Sequence, residues 1–254
     1  MPRPGNNTRG HGTYKRHGPE QTLLYQVAAI QGARSAMPEL EVDLYFSFRS
    51  PWSYYGAAQM YDLEQEYALR LNLLVVNPIY IRYNEFFDNS HEKWGSYFLT
   101  DLMRYSEYRG LPIGRPRPDP INNTLAADDP GHLVHKLNPL GLAATAAGRG
   151  IEFAREVSAI VWDGQVDGWD EGDHLKLAAQ RAGLELPALQ QWVRENDSIW
   201  RQQLLANDRA LEEHHWGVPT MVFQGEPFFG QDKIELLLWR MQQKGLEKRG
   251  RTHS

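Results

Sequence analysis

The stretch from Leu40 to Val76 leaves the chain few folds to choose from. Leu40–Phe48 alternates apolar and polar residues, with one aromatic on the polar face, and a period of two over this length predicts a strand. Ser50 follows at a helix N-cap position and Pro51 at the first helical position, where both residue types are favoured. A helix is expected to about Ala68. Leu71–Val76 is short and apolar enough for a buried second strand. Strand, helix, strand in this order is a parallel crossover unit, which commits the chain to an α/β fold.

Beyond it, the segment from about Asn84 to Ala206 is helical in character. One helix holds Asp101–Tyr108 and stops at Gly110 and Pro112. Pro112, Pro116, Pro118 and Pro120 alternate with other residues and predict an extended loop. Further helices are expected over Leu140–Ala147, Ile151–Trp162, Leu175–Ala182 and Pro187–Leu205. Strand character returns at Thr220–Phe223. Gln224-Gly225 predicts a turn and Pro227–Phe229 a short partner strand. Gly230 breaks it, and a last helix is expected over Gln231–Gln243. The order is βαβ, helical insertion, ββα. This divides the chain into a sheet domain from 37–83 and 207–247, with an inserted helical domain from 84–206.

Residues 1–36 differ. Five basic residues face Glu20 alone, a net of +4, so the remainder carries −9 of the overall −5. This segment reads as a disordered basic tail, or as a start placed upstream of Met37. With that net charge and no long basic run, nucleic acid is not expected as a partner. No apolar stretch of about 18 residues predicts a membrane span. The chain has no cysteine, which removes disulfides, thiolate metal sites and any dithiol of its own.

Three short pieces carry chemistry. Ser50-Pro51-Trp52-Ser53 places a hydroxyl at a helix start, where unpaired N–H groups and the helix dipole favour an anion; it is equally a plain cap. Gly217-Val218-Pro219-Thr220 stands just before a strand. A cis Val218–Pro219 bond would turn the Val218 backbone towards the Ser50 turn, free to pair with an extended peptide; a trans proline at a strand edge is the alternative. Phe229-Gly230-Gln231-Asp232 opens the last helix, where amides and the Asp232 carboxylate suit an amino-acid head group or merely complement the dipole. Asp163–Gly168 has the outline of a calcium loop but carries Gln165 and His174 at ligand positions, so a turn is expected. Glu213-His214-His215 lacks the spacing of two ligands on one helical face, and no metal is expected.

Phe46–Tyr54, Gly217–Met221 and Phe229–Asp232 together resemble the 2-hydroxychromene-2-carboxylate isomerases, in the DsbA-like branch of the thioredoxin superfamily beside the kappa-class glutathione transferases. The resemblance runs from about Leu40 to Trp239. It implies a thioredoxin-like fold with a helical insertion, a cytoplasmic homodimer, and glutathione as cofactor. The glutathione thiolate would add to a conjugated carbon of an aromatic-acid substrate, allowing rotation before elimination. By the same resemblance Ser50 meets the thiolate. Val218 and a cis Pro219 meet the cysteinyl backbone, and Gln231 and Asp232 hold the γ-glutamyl end. A family asparagine falls at Asn84 or Asn89. Where the family has a lysine this chain has Trp94, with Lys93 beside it. A kappa-type transferase and a non-catalytic peptide- or glutathione-binding module stay open as alternatives. Trp52, Tyr54, Tyr55, Phe86, Phe87 and Trp94 are plentiful near the expected mouth, and at least half of them are expected to be core.

Overall fold

The computed structural model describes residues 39–249; the expectations for residues 1–36 lie outside the described residues. Strand β1 (Leu40–Phe46) leads into helix α1 (Pro51–Glu66) and returns as β2 (Leu69–Val75), parallel to β1. β3 (Thr220–Phe223) pairs antiparallel with β1, and β4 (Glu226–Phe229) with β3, giving the order β2-β1-β3-β4. Between β2 and β3 lie α2 (Ile79–Arg82), α3 (Trp94–Arg109), α4 (Val134–Ala146), α5 (Gly150–Trp162), α6 (His174–Arg181), α7 (Leu186–Glu195) and α8 (Asp197–His214). A 3₁₀ turn, Gln231–Lys233, precedes α9 (Ile234–Gln242). No helix among the described residues is long and apolar enough to cross a membrane.

The alternation along β1 explains the two faces of the sheet. Val42, Leu44, Phe46 and Phe48 point into one large core with Met60, Phe153, Ile160 and Leu237, so α1, α5 and α9 share it. Tyr45, the aromatic on the other side, is buried with Val76, Val222 and Leu211 of α8. Its position on the polar face of the strand thus reflects a second, smaller core. Sheet and insertion share the large core, which also takes in Leu137 and Trp169.

Several boundaries differ from expectation. β1 stops at Phe46, because Ser47–Arg49 turns towards the helix cap. α4 begins at Val134, six residues before the expected Leu140, and carries Pro139 inside it. The expected Pro187–Leu205 helix is two: Asn196 breaks it in a non-helical conformation, its Nδ2 donating back to the Trp192 carbonyl at 2.8 Å. The last helix opens at Gln231 as expected, but its first turn, Gln231–Lys233, is 3₁₀ and the α-helix begins at Ile234. Asp163 accepts from the Gln165 N–H at 2.8 Å in a turn closing α5, and no cluster of metal-ligating residues occurs among the described residues.

Candidate active site

Ser50 has extended backbone angles and caps α1: its Oγ accepts from the Ser53 N–H at 3.1 Å, and its carbonyl accepts from the Tyr54 N–H at 3.1 Å. Pro51 has no N–H to leave unpaired. The Trp52 N–H has no partner among the described residues, so one amide of the first turn stays open beside the Ser50 hydroxyl. The helical insertion holds this turn from outside. Trp162 Nε1 donates to the Phe48 carbonyl at 2.9 Å. Arg49 pairs with Asp119, Nη2 to Oδ2 at 2.7 Å, and lies over the Trp162 ring at 5.5 Å.

Across from it, the Val218–Pro219 bond is cis. The Ser50 hydroxyl makes a long contact, 3.5 Å, to the Val218 carbonyl oxygen. That is the outer limit of a hydrogen bond, so the proton is only weakly committed there. The Val218 N–H has no partner among the described residues. Pro219 packs on α1 at Gly56, where an added Cβ would come within 2.9 Å of its Cγ. The Pro219 carbonyl accepts from the Gly230 N–H at 2.8 Å, and Thr220 Oγ1 donates to the Gly217 carbonyl at 2.7 Å. The structure therefore brings Ser50, Val218 and Pro219 together and ties Gly230 to them by one bond.

Gln231 is buried; Asp232 is exposed and already paired with Lys233. Gly230 has φ 99°, and a Cβ there would stand 2.5 Å from Asp232 Oδ1, so this turn requires glycine. Asn84 is exposed and lines a small cavity with Ile81, Arg82, Ala126, Ala127 and Asp128. Asn89 is exposed in the turns before α3, its N–H donating to the Glu85 carbonyl at 3.0 Å. Trp94 stacks on Phe98, centroids 5.1 Å apart, and meets Phe86 edge-on at 5.8 Å.

The aromatic residues form a continuous chain. Trp52 touches Phe98 (5.7 Å), Phe98 touches Trp94, Trp94 touches Phe86, Phe86 touches Trp216 (5.2 Å), and Trp216 touches Phe229 (5.5 Å). It starts two residues after Ser50 and reaches Trp216, two before Val218. Tyr54 and Tyr55 are instead buried. The Tyr54 hydroxyl donates to the Pro112 carbonyl at 3.1 Å, and burial, with the negative charge of Asp163, pushes its pKa well above the phenolic range. Trp216 is absent from the sequence reading because its contacts, to Phe86 in the turns after α2 and to Phe229 of β4, join elements far apart in the chain. A groove of about 810 Å³ lies elsewhere: Pro139, His135, Trp200, Arg201 and Leu204 of the insertion are among its walls, and it includes no residue of the Ser50 turn.

A family model for the DSBA-like thioredoxin domain matches residues 41–242. A 2-hydroxychromene-2-carboxylate isomerase of Pseudomonas putida is 23% identical over 200 residues, 77% of this chain and 91% of that protein. A solved 2-hydroxychromene-2-carboxylate isomerase superposes with a TM-score of 0.61 at 20% identity, over 81% of this chain and 96% of the other. A probable DsbA oxidoreductase from Streptomyces coelicolor gives 0.58 at 13% identity, over 81% and 89%. With the family model matching most of its length, the chain belongs to the DSBA-like thioredoxin domain family.

Proposed function

We infer that the protein is a glutathione-dependent isomerase of the 2-hydroxychromene-2-carboxylate isomerase type, acting on a conjugated aromatic-acid-like electrophile. One observation carries this reading: a cysteine-free chain sets the Ser50 hydroxyl and the open Trp52 amide opposite Val218, whose N–H is also open. These groups fit a tripeptide with an ionised sulfur. When bound, glutathione supplies the thiolate nucleophile that the protein lacks.

The chain's own residues then have distinct tasks. Ser50 donates to the anion, its proton redirected from the long contact with Val218. A thiol pKa lowered by about two units, from about 8.5, requires about 2.7 kcal/mol of preference for the charged form. A helix start contributes up to about 2 kcal/mol and a hydrogen bond to a charged group about 1.5–3 kcal/mol, so the two suffice. Val218 offers its N–H and C=O to the cysteinyl backbone as an added strand edge. Gln231 and Asp232 hold the γ-glutamyl end, with Lys233 competing for the Asp232 carboxylate. Trp94 stands where the resembled family has a lysine, and Asn84 or Asn89 supplies the contact of that family's asparagine. The aromatic chain from Trp52 to Phe229 faces a planar substrate and keeps water from it. A cytoplasmic location accords with this, since glutathione is held reduced there.

Titration calorimetry with glutathione, followed by a hydroxychromene-acid isomerisation assay, tests the reading. Ser50→Ala should fold, yet lose most glutathione-dependent turnover. Absence of heat from the wild-type protein at millimolar glutathione would leave a non-catalytic module. Conjugation of a halogenated aromatic without isomerisation would point to a kappa-type transferase.

A further inference from the structure

Arg82 ends the short helix α2, outside the three motifs that define the site. Its Nε donates to the Asn77 carbonyl at 2.9 Å and its Nη2 to the Trp216 carbonyl at 2.8 Å. Asn77 is itself fixed. Its backbone N–H and its Nδ2 each donate to the Asp208 carboxylate at 2.8 Å, and Asn138 Nδ2 donates to its Oδ1 at 3.1 Å. Asn77, Asn138 and Asp208 are buried, so this network joins the end of β2 to α4 and α8. The negative charge of Asp208 offsets part of the cost of burying the guanidinium.

The Trp216 carbonyl belongs to the peptide unit whose N–H is that of Gly217. That N–H donates to His215 Nδ1 at 2.9 Å. One peptide plane is therefore held at both edges, by Arg82 at the oxygen and by His215 at the hydrogen. The next carbonyl, of Gly217, is held by Thr220 Oγ1. The Trp216 carbonyl and both backbone groups of Gly217 are thus occupied, and the next group along the chain, the Val218 N–H, has no partner among the described residues.

We propose that Arg82 is a positioning residue, which orients the Trp216–Gly217 peptide so that the Val218 backbone is presented to the extended tripeptide. This rests on the glutathione reading above. Arg82 touches neither the sulfur nor the substrate in this role. Its loss weakens glutathione binding and leaves the chemical step in place.

Two variants of the full chain, Arg82→Ala and Arg82→Lys, test it by two readouts. The first is ligand-free: exchange of the Gly217 amide proton, followed by NMR, should quicken about tenfold or more in Arg82→Ala. The second is kinetic: KM for glutathione should rise about tenfold, as expected for one charge-assisted hydrogen bond, with kcat at saturation within about twofold. Added guanidinium should restore part of the affinity in Arg82→Ala and none in wild type. Arg82→Lys keeps the charge beside Asp208 but not the two-pronged donor, and should fall between the two. It also serves if the alanine variant fails to fold. Unchanged Gly217 exchange and unchanged KM in a folded variant overturn the proposal. If wild type takes up no glutathione, the functional reading falls, and Gly217 exchange still decides the role of Arg82.

Discussion

The imidazole of His215 lies flat against the ring of Phe229, with centroids 3.8 Å apart and planes 19° apart. Its Nδ1 accepts the Gly217 N–H, so the ring is neutral and carries its proton on Nε2. Burial pushes its pKa below the ordinary histidine value of 6.5. The unfolded chain therefore takes up the proton first as pH falls. Stability from the neutral ring is complete above about pH 6.5 and is lost as pH drops through the lower folded value. Thermal unfolding of wild type and His215→Gln between pH 7.5 and 5 should show a gap that narrows on the acid side. A gap independent of pH means that His215 titrates alike in both states.

Gly56 is the point where α1 accepts Pro219. Replacing glycine by alanine inside a helix usually gains about 1 kcal/mol. Here the new methyl would lie 2.9 Å from Pro219 Cγ and 3.2 Å from its Cβ, and overpacking of this kind costs about 1–3 kcal/mol. Steric cost is the larger, so Gly56→Ala should be destabilised by about 1 kcal/mol, a Tm lower by about 2–4 °C for a chain of this size. Urea and thermal unfolding would measure it. A Tm at or above wild type would mean that Pro219 yields freely.

Ser50→Cys would give the protein its single thiol, at the helix cap. Anion stabilisation by the open Trp52 amide and the helix dipole should bring that thiol below the free value of about 8.5. Thiolate absorbance near 240 nm across a pH series reads the value directly, with no glutathione present. A pKa at or above 8.5 would show that the turn does not favour negative charge, and would remove the electrostatic basis of the proposed reaction.

The sheet was legible because its signals are local. Leu40–Phe46 alternates, Ser50-Pro51 marks a helix start, and Gln224-Gly225 marks a hairpin. The Ser50–Val218 contact was approached through motif pairing, although 168 residues separate them. What stayed hidden has no local pattern. In the run Leu186–His214 no glycine or proline marks the break; the one local sign is Asn196 itself, a capping residue type, whose side chain turns back on Trp192. The start of α4 at Val134 also stayed hidden, since a proline inside a helix is disfavoured and Pro139 stands in its second turn. Arg82 and Trp216 act through partners on other elements, so single positions in the sequence carry no trace of them.

The grip of Trp162 on the Phe48 carbonyl, and of Arg82 on that of Trp216, has a bearing on engineering and descent. Trp162 sits in the inserted helices while the Phe48 it holds sits on the sheet side, and Arg82 and Trp216 lie in the two connections that join the sheet to those helices. A graft that imports another relative's helices without these side chains would keep a sheet of the right outline and deliver two loose turns. Changes in the helical layer and changes in the reacting turns are therefore constrained to travel as a pair.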